Sequence, residues 1–182
     1  MKVIPLRLAD ASVIEPIVHG DQRGFFMESY NQQVMQGKGI THTFIQDNQS
    51  LSADAGVIRG LHYQLNPKAQ TKLIRVITGA IYDVILDIRK SSPTFGQWMS
   101  VILSEYNHRQ LLVPKGFAHG FCTLVPNTQV LYKVDEYYSP LHDRGILWND
   151  PALSIDWPTS KAILSEKDKQ QPLLKDAEIN FD

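Results

Sequence analysis

An all-β fold, a sandwich or barrel of many short strands, is predicted by three features of this chain. Apolar residues recur mostly with period two, the runs are short, and Pro, Gly and Asn turn signals separate them at close spacing. βαβ units would need longer helical patterns between the strands, and these are absent. The clearest run is GAIYDVILDIR (79–89). In a strand, Ala80, Tyr82, Val84, Leu86 and Ile88 share one face, and Ile81, Asp83, Ile85, Asp87 and Arg89 share the other.

From the N-terminus, DQRGFFMESY (21–30) reads as a turn followed by an aromatic strand. NQQVMQGKG (31–39) suits two helical turns ended by glycine. β-Branched or aromatic runs follow at 43–46, 57–63 and 72–77, and beyond 79–89 at 98–103, 110–113, 119–125 and 129–135. Asn66-Pro67, Ser92-Pro93, Pro114-Lys115-Gly116 and Pro126-Asn127 supply turns between them. After Ser165 a short helix is expected, since Ser165 and Asp168 have the spacing of a capping box with Asp in place of Glu or Gln. No repeat, linker or low-complexity stretch interrupts the chain, so residues 1–182 are expected to form one domain.

The 182 residues, 43% hydrophobic and 20% charged, suit a globular domain with one core of useful size. A formal charge of −1 offers no general field for a nucleic-acid polymer or an anionic membrane, though a local site for one or two phosphates is compatible with it. No apolar run approaches the roughly 18 residues a membrane span needs. Arg7 and Asp10 interrupt the N-terminal region where a secretory signal needs apolar residues. The single cysteine, Cys122, excludes an internal disulfide framework. The expectation is a soluble, cytoplasmic protein.

The segment VIRGLHYQ (57–64) sets Arg59 and His62 three positions apart inside a strand-like run. Pro114-x-Gly116-x-x-His119 resembles the second half-motif of the cupins, double-stranded β-helix (jelly-roll) proteins that often bind iron, manganese or zinc. Their first half-motif supplies His-x-His with a glutamate nearby, whereas this chain has His62-Tyr63-Gln64. Transition-metal sites want three or four protein ligands, and only two histidines are on offer here. The resulting expectation is a metal-free cupin-like barrel over about 40–140 with a few short flanking helices, and residues 141–182 packing near the pocket. Cys122, in the apolar run GFCTL, reads as a core residue and not a nucleophile.

Acid–base chemistry without a metal remains. His62 can accept a proton near neutral pH, Tyr132 can donate one, and Lys72 can hold developing negative charge. That set suits proton abstraction beside a carbonyl. Residue types alone leave open a satisfied core histidine, a snorkelling lysine and a tyrosine packed at a barrel mouth.

Six motifs in order narrow the choice: DxRGFFxExY, FxQDNxS, GVxRGLHYQ, PxGFAHGF, YYSPxxDRG and WNDP. Together, from about Pro5 to Leu174, they resemble the dTDP-4-dehydrorhamnose 3,5-epimerase family. The resemblance implies a catalytic base at His62, an acid at Tyr132 on the opposite face of the sugar, and Lys72 stabilising an enolate. It implies Asp168 as the partner of the base, although Asp168 also suits a mere cap partner of Ser165. Substrate contacts carry over to Arg23, Phe26 and Glu28, to Gln46 and Asn48, and to Arg59, His119, Asp143 and Lys167. Tyr138 would stack on thymine. His119 has a second reading, as a structural partner of Asp83. The family's homodimer exchanges an N-terminal segment, so Arg23 and Glu28 would serve the neighbouring subunit's site.

The implied activity inverts C3 and C5 of dTDP-4-dehydro-6-deoxy-D-glucose to give dTDP-4-dehydro-L-rhamnose, in dTDP-L-rhamnose biosynthesis for cell-wall polysaccharide, with no cofactor. Epimerisation at C3 or C5 alone, a 3,4-ketoisomerase and a non-catalytic sugar-nucleotide binder are the rivals. One geometric demand follows from the residues themselves. A regular strand would point Arg59 and His62 to opposite faces, so both can line one pocket only if Gly60 hosts a bulge or bend.

Overall fold

A computed structural model describes residues 1–182. The N-terminal part carries β1 (Lys2–Pro5), β2 (Ser12–Glu15), β3 (Val18–Asp21), β4 (Gly24–Met27) and helix α1 (Gln32–Gln36). The middle carries β5 (Gln46–Ser52), β6 (Ile58–Gln64), β7 (Lys72–Thr78), β8 (Ala80–Asp87), β9 (Trp98–Ser104), β10 (Gln110–Val113), β11 (Phe117–Thr123) and β12 (Thr128–Val134). The C-terminal part adds β13 (Asp143–Gly145), helix α2 (Glu166–Lys169) and a 3₁₀ turn (Leu174–Asp176). The fold is all-β with a few short helices.

One sheet runs β1-β2-β10-β7-β12-β5, a second runs β13-β6-β11-β8-β9, and β3 and β4 pair as a separate hairpin. The two large sheets face each other. Ile74 and Val76 of β7, Leu111 and Val113 of β10 and Val130 of β12 share one cluster with Ile81 and Ile85 of β8 and Phe117 and Phe121 of β11. On its other face the second sheet is covered by the C-terminal segment. There Leu61, Tyr63, Val84, Leu86, Ala118 and Cys122 pack against Ile146, Leu153, Trp157, Ile179 and Phe181. A sheet buried on both faces explains why 79–89 is apolar at most positions, not merely at alternate ones. Each such buried aliphatic or aromatic side chain contributes about 1.5–3 kcal/mol.

Helix α1 covers the outer face of the first sheet, where Met35 joins Ile14, Leu73 and Leu112. Its start is capped by Asn31, whose side chain accepts from the Val34 N–H, and it ends at Gly37, in line with the expected glycine stop. The run expected as a strand at 43–46 is instead the approach to β5, which begins at Gln46. This edge strand, QDNQSLS, alternates in the opposite sense to a core strand: Gln46, Asn48 and Ser50 are half-buried, while Leu51 is exposed. Its pairing with β12, from Thr128↔Ser52 to Val134↔Gln46, holds it in place without an apolar face of its own.

β6 does bulge. Against β11 its register runs His119↔His62 and Phe121↔Arg59, so Gly60 and Leu61 together oppose Gly120. Gly60 sits at φ +127°, and a Cβ there would lie 2.5 Å from the Gly120 Cα and 2.7 Å from the His119 carbonyl oxygen. The extra residue switches the strand's parity. Ile58, Leu61 and Tyr63 all join the outer cluster, while Arg59 and His62 both turn to the inner cavity. Gly60→Ala is expected to cost roughly 2–4 kcal/mol, from the positive φ and the backbone overlap together. Urea denaturation of the variant checks this.

Candidate active site

Between the sheets lies a cavity of about 490 Å³. β6 sends in Arg59 and His62, β7 Lys72, β11 His119 and Phe121, β12 Tyr132 and β5 Ser50, while the C-terminal segment supplies Ile163 to Ser165, Lys167 and Asp168. That segment is tied to β6 by a parallel bridge between Val57 and Ile163. The Ile58 N–H donates to the Ile163 carbonyl at 2.9 Å, and the Ile163 N–H to the Gly56 carbonyl at 2.9 Å.

The tie brings α2 beside His62. Asp168 Oδ1 lies 2.5 Å from His62 Nε2. Ser165 Oγ donates to Asp168 Oδ2 at 2.9 Å and accepts from the Asp168 N–H at 3.1 Å. Helix cap and histidine partner are therefore one carboxylate doing both, not alternatives. Burial alone would raise the Asp168 carboxyl, but the His62 and Ser165 hydrogen bonds and the Lys167 charge hold it below its ordinary range. An ionised Asp168 requires the N–H on His62 Nε2, so that in the neutral ring Nδ1 is the lone-pair nitrogen. Nδ1 has no partner within the chain.

Lys72 is half-buried, and its one hydrogen bond, to the His62 carbonyl, is long at 3.3 Å. Burial pushes its ammonium down to about 8, against the opposing pull of Asp143 and Asp83. The Tyr132 phenol is raised, chiefly by burial, and its hydroxyl has no partner within the chain. His119 Nε2 stands 2.6 Å from Asp83 Oδ1. Thus His119 has the structural partner considered for it and also lines the cavity. Arg59 is steadied by Ser52 Oγ and the Leu51 carbonyl, both at 3.2 Å.

An adjoining chamber of about 270 Å³ shares His62, Lys72, Tyr132 and Lys167 with the first and adds Gln46, Asn48, Tyr138 and Asp143. Gln46 Nε2 donates to Asn48 Oδ1 at 2.9 Å, and the Tyr138 hydroxyl donates to Asp143 Oδ2 at 3.1 Å. Lys167 Nζ reaches the same carboxylate oxygen at 2.5 Å, which raises the lysine further.

Three candidates lie elsewhere. Arg23 pairs with Asp21 on the exposed β3–β4 hairpin, Phe26 is 72% exposed, and Glu28 accepts from Asn31 at 2.9 Å. They border clefts on the hairpin and not the His62 cavity. Cys122 faces the outer cluster, and burial pushes its thiol up to about 11. No three His, Cys, Asp or Glu side chains converge as a metal-binding group.

Phe121, Ser50, Ile163 and Leu164 line the cavity without having stood out in the sequence. Phe121 was within reach, since it follows His119 by two residues on the same strand face. The folded-state depression of Asp168 contributes stability that is present above its unfolded value of 3.8 and lost as pH falls through the lower folded value. Asp168→Asn is expected to lower stability at pH 7 by about 1–3 kcal/mol, the scale of a charge-assisted hydrogen bond, and to flatten the acid side of the stability profile. Urea midpoints measured between pH 7 and 3 check both effects.

The family model described as dTDP-4-dehydrorhamnose 3,5-epimerase matches residues 5–176. The Shigella flexneri dTDP-4-dehydrorhamnose 3,5-epimerase is 52% identical over 169 residues, covering 92% of this chain and 93% of its own. A crystal structure of the Bacillus anthracis dTDP-4-dehydrorhamnose 3,5-epimerase, with TDP and PPi bound, superposes with a TM-score of 0.93 at 66% identity, covering 94% of this chain and 98% of that one. The Legionella pneumophila dTDP-6-deoxy-D-glucose-3,5-epimerase, in complex with dTDP-4-keto-L-rhamnose, gives a TM-score of 0.91 at 46% identity, with coverage of 96% and 93%. By sequence over nearly its whole length, and by the fold that carries its cavity, this chain belongs to the dTDP-4-dehydrorhamnose 3,5-epimerase family.

Proposed function

We propose that this chain is a dTDP-4-dehydro-6-deoxy-D-glucose 3,5-epimerase that forms dTDP-4-dehydro-L-rhamnose. The observation that carries this reading is His62, backed by an ionised Asp168 and with Nδ1 unpartnered, in one cavity with Lys72 and Tyr132. In a 4-keto-6-deoxy sugar both C3 and C5 adjoin the C4 carbonyl, so each C–H is acidified by enolate formation. His62 Nδ1 removes one proton, and Asp168 stabilises the imidazolium that results. The Lys72 ammonium holds the charge on O4. Tyr132 returns a proton from the opposite face; once solvent has taken the proton from His62 and restored that of Tyr132, a ring flip presents the second carbon to the same base. Only protons move, and no step calls for a metal or a redox cofactor.

The adjoining chamber suits the nucleotide end. Gln46, Asn48, Tyr138, Asp143 and Lys167 border it, with Arg59 and His119 in the cavity beside it. Tyr138, 56% exposed, offers a face for thymine. Binding energy collected there orients the reacting sugar. In this reading the chain is one domain, a double-stranded β-helix barrel of the cupin type with 141–182 as its cover. It works in the cytoplasm as a homodimer, in dTDP-L-rhamnose supply to cell-wall polysaccharide. The exposed hairpin with Arg23, Phe26 and Glu28 then completes the partner's site.

His62→Asn is expected to fold and to lose roughly 10²–10⁴-fold in kcat; turnover close to the parent rate removes His62 from the role of base. Tyr132→Phe should still exchange substrate protons with solvent while forming little inverted product. Because Lys72 acts as its ammonium, kcat should fall as pH rises through about 8. Turnover in deuterated water tests the activity itself. Label at both C3 and C5 supports the double epimerase, label at one carbon makes it a single epimerase, and no label leaves a binder.

A further inference from the structure

Behind the cavity wall stands a buried acid to which the proton relay assigns no task. Asp83 lies in mid-β8, opposite Phe121 of β11 and Val101 of β9, and is fully buried. Its Oδ1 is 2.6 Å from His119 Nε2, while its Oδ2 is buried without any partner. A bare, buried carboxylate oxygen is costly unless opposite charge lies near. Burial drives the Asp83 carboxyl upward, and the only groups that oppose this are His119 and Lys72.

Lys72, on the facing sheet, has the complementary deficit. Its ammonium carries three donors but makes one long hydrogen bond. Around it stand His62 on β6, Tyr132 on β12, His119 on β11 and Lys167 beyond them. The two carboxylates that act on it are Asp143 of β13 and Asp83 of β8. Asp143 is already engaged by Lys167 and the Tyr138 hydroxyl through a single oxygen. Of the two, only Asp83 holds a fully buried oxygen without any partner.

We infer that Asp83 is a positioning residue: its carboxylate is the buried counter-charge that keeps Lys72 an ammonium ion and fixes the Nε2–H tautomer of His119. The inference rests on the oxyanion role given to Lys72 above. It also explains an acid in the middle of a largely apolar, buried strand. Lys72 and His119 oppose the burial that raises the Asp83 carboxyl, and Asp83 in turn favours the charged form of Lys72, so the coupling is reciprocal.

Asp83→Asn keeps the shape and an oxygen for the His119 N–H. Removing the negative charge makes Lys72 lose its proton at lower pH, so the alkaline limb of kcat should move down by about one pH unit or more, a tenfold change in the proton equilibrium. A merely structural role would instead reduce kcat by one factor at every pH. The reverse measurement needs no turnover and leaves β8 untouched. In Lys72→Met, the ¹³C-labelled Asp83 carboxyl should take up its proton at a higher pH than in the parent chain. An unmoved alkaline limb in a folded Asp83→Asn, or an Asp83 carboxyl that titrates alike with and without Lys72, overturns the inference. The carboxyl titration stands independently of whether the chain epimerises.

Discussion

One surplus residue in β6 governs the geometry of the cavity. Gly60 and Leu61 share the place opposite Gly120, and only glycines can meet there. A Cβ on Gly60 would strike Gly120, and a Cβ on Gly120 would come within 2.8 Å of the Arg59 carbonyl oxygen. The bulge lets one short strand satisfy two demands. Ile58, Leu61 and Tyr63 fill the outer core, while Arg59 and His62 both reach inward. Without the parity switch, one of these two polar side chains would be driven into the apolar cluster at a desolvation cost of several kcal/mol.

A second constraint meets the first at His62. Helix α2 has four residues, far too few to persist alone, so Asp168 is positioned by tertiary structure. Ile163 is stitched to the start of β6, and Trp157, Ile179 and Phe181 anchor the chain on either side of α2 against the outer sheet face. The indole N–H of Trp157 is satisfied by the Trp148 carbonyl at 2.8 Å, and the Tyr63 hydroxyl by the Glu178 carbonyl at 2.6 Å. The same segment thus covers the sheet and delivers the carboxylate that orients His62. Loosening the cover should therefore disturb the dyad before it disturbs the sheets.

Much of this could be read from the residues. Strands β6 to β12 follow the apolar runs to within a few positions, because a core face leaves a period-two signature. The demand for a bulge at Gly60 came from two polar residues an odd number of positions apart. β5 was illegible for the converse reason: its inward residues Gln46, Asn48 and Ser50 are polar because they border the cavity, and its one large apolar residue, Leu51, points outward. Short strands such as β1 and β13 depend on a neighbour's edge and carry too few residues for a pattern. At the site, spacing alone posed cap or dyad for Asp168 as a choice, since it cannot express that a carboxylate has two oxygens. Arg23, Phe26 and Glu28 came from motif resemblance, and within the single chain they stay on the hairpin.

The central claim is that the bulge and the C-terminal segment together fix the tautomer of the neutral His62 ring, with its N–H on Nε2 and its lone pair, on Nδ1, open to the cavity. Long-range ¹H–¹⁵N correlation spectra of ¹⁵N-histidine-labelled protein, at a pH where the ring is neutral, test this directly. The account predicts a protonated Nε2 and a bare Nδ1 for His62, a pattern lost or mixed in Asp168→Asn. A proton on Nδ1 in the parent chain would contradict it, because the nitrogen free to act as base would then be the one turned toward Asp168.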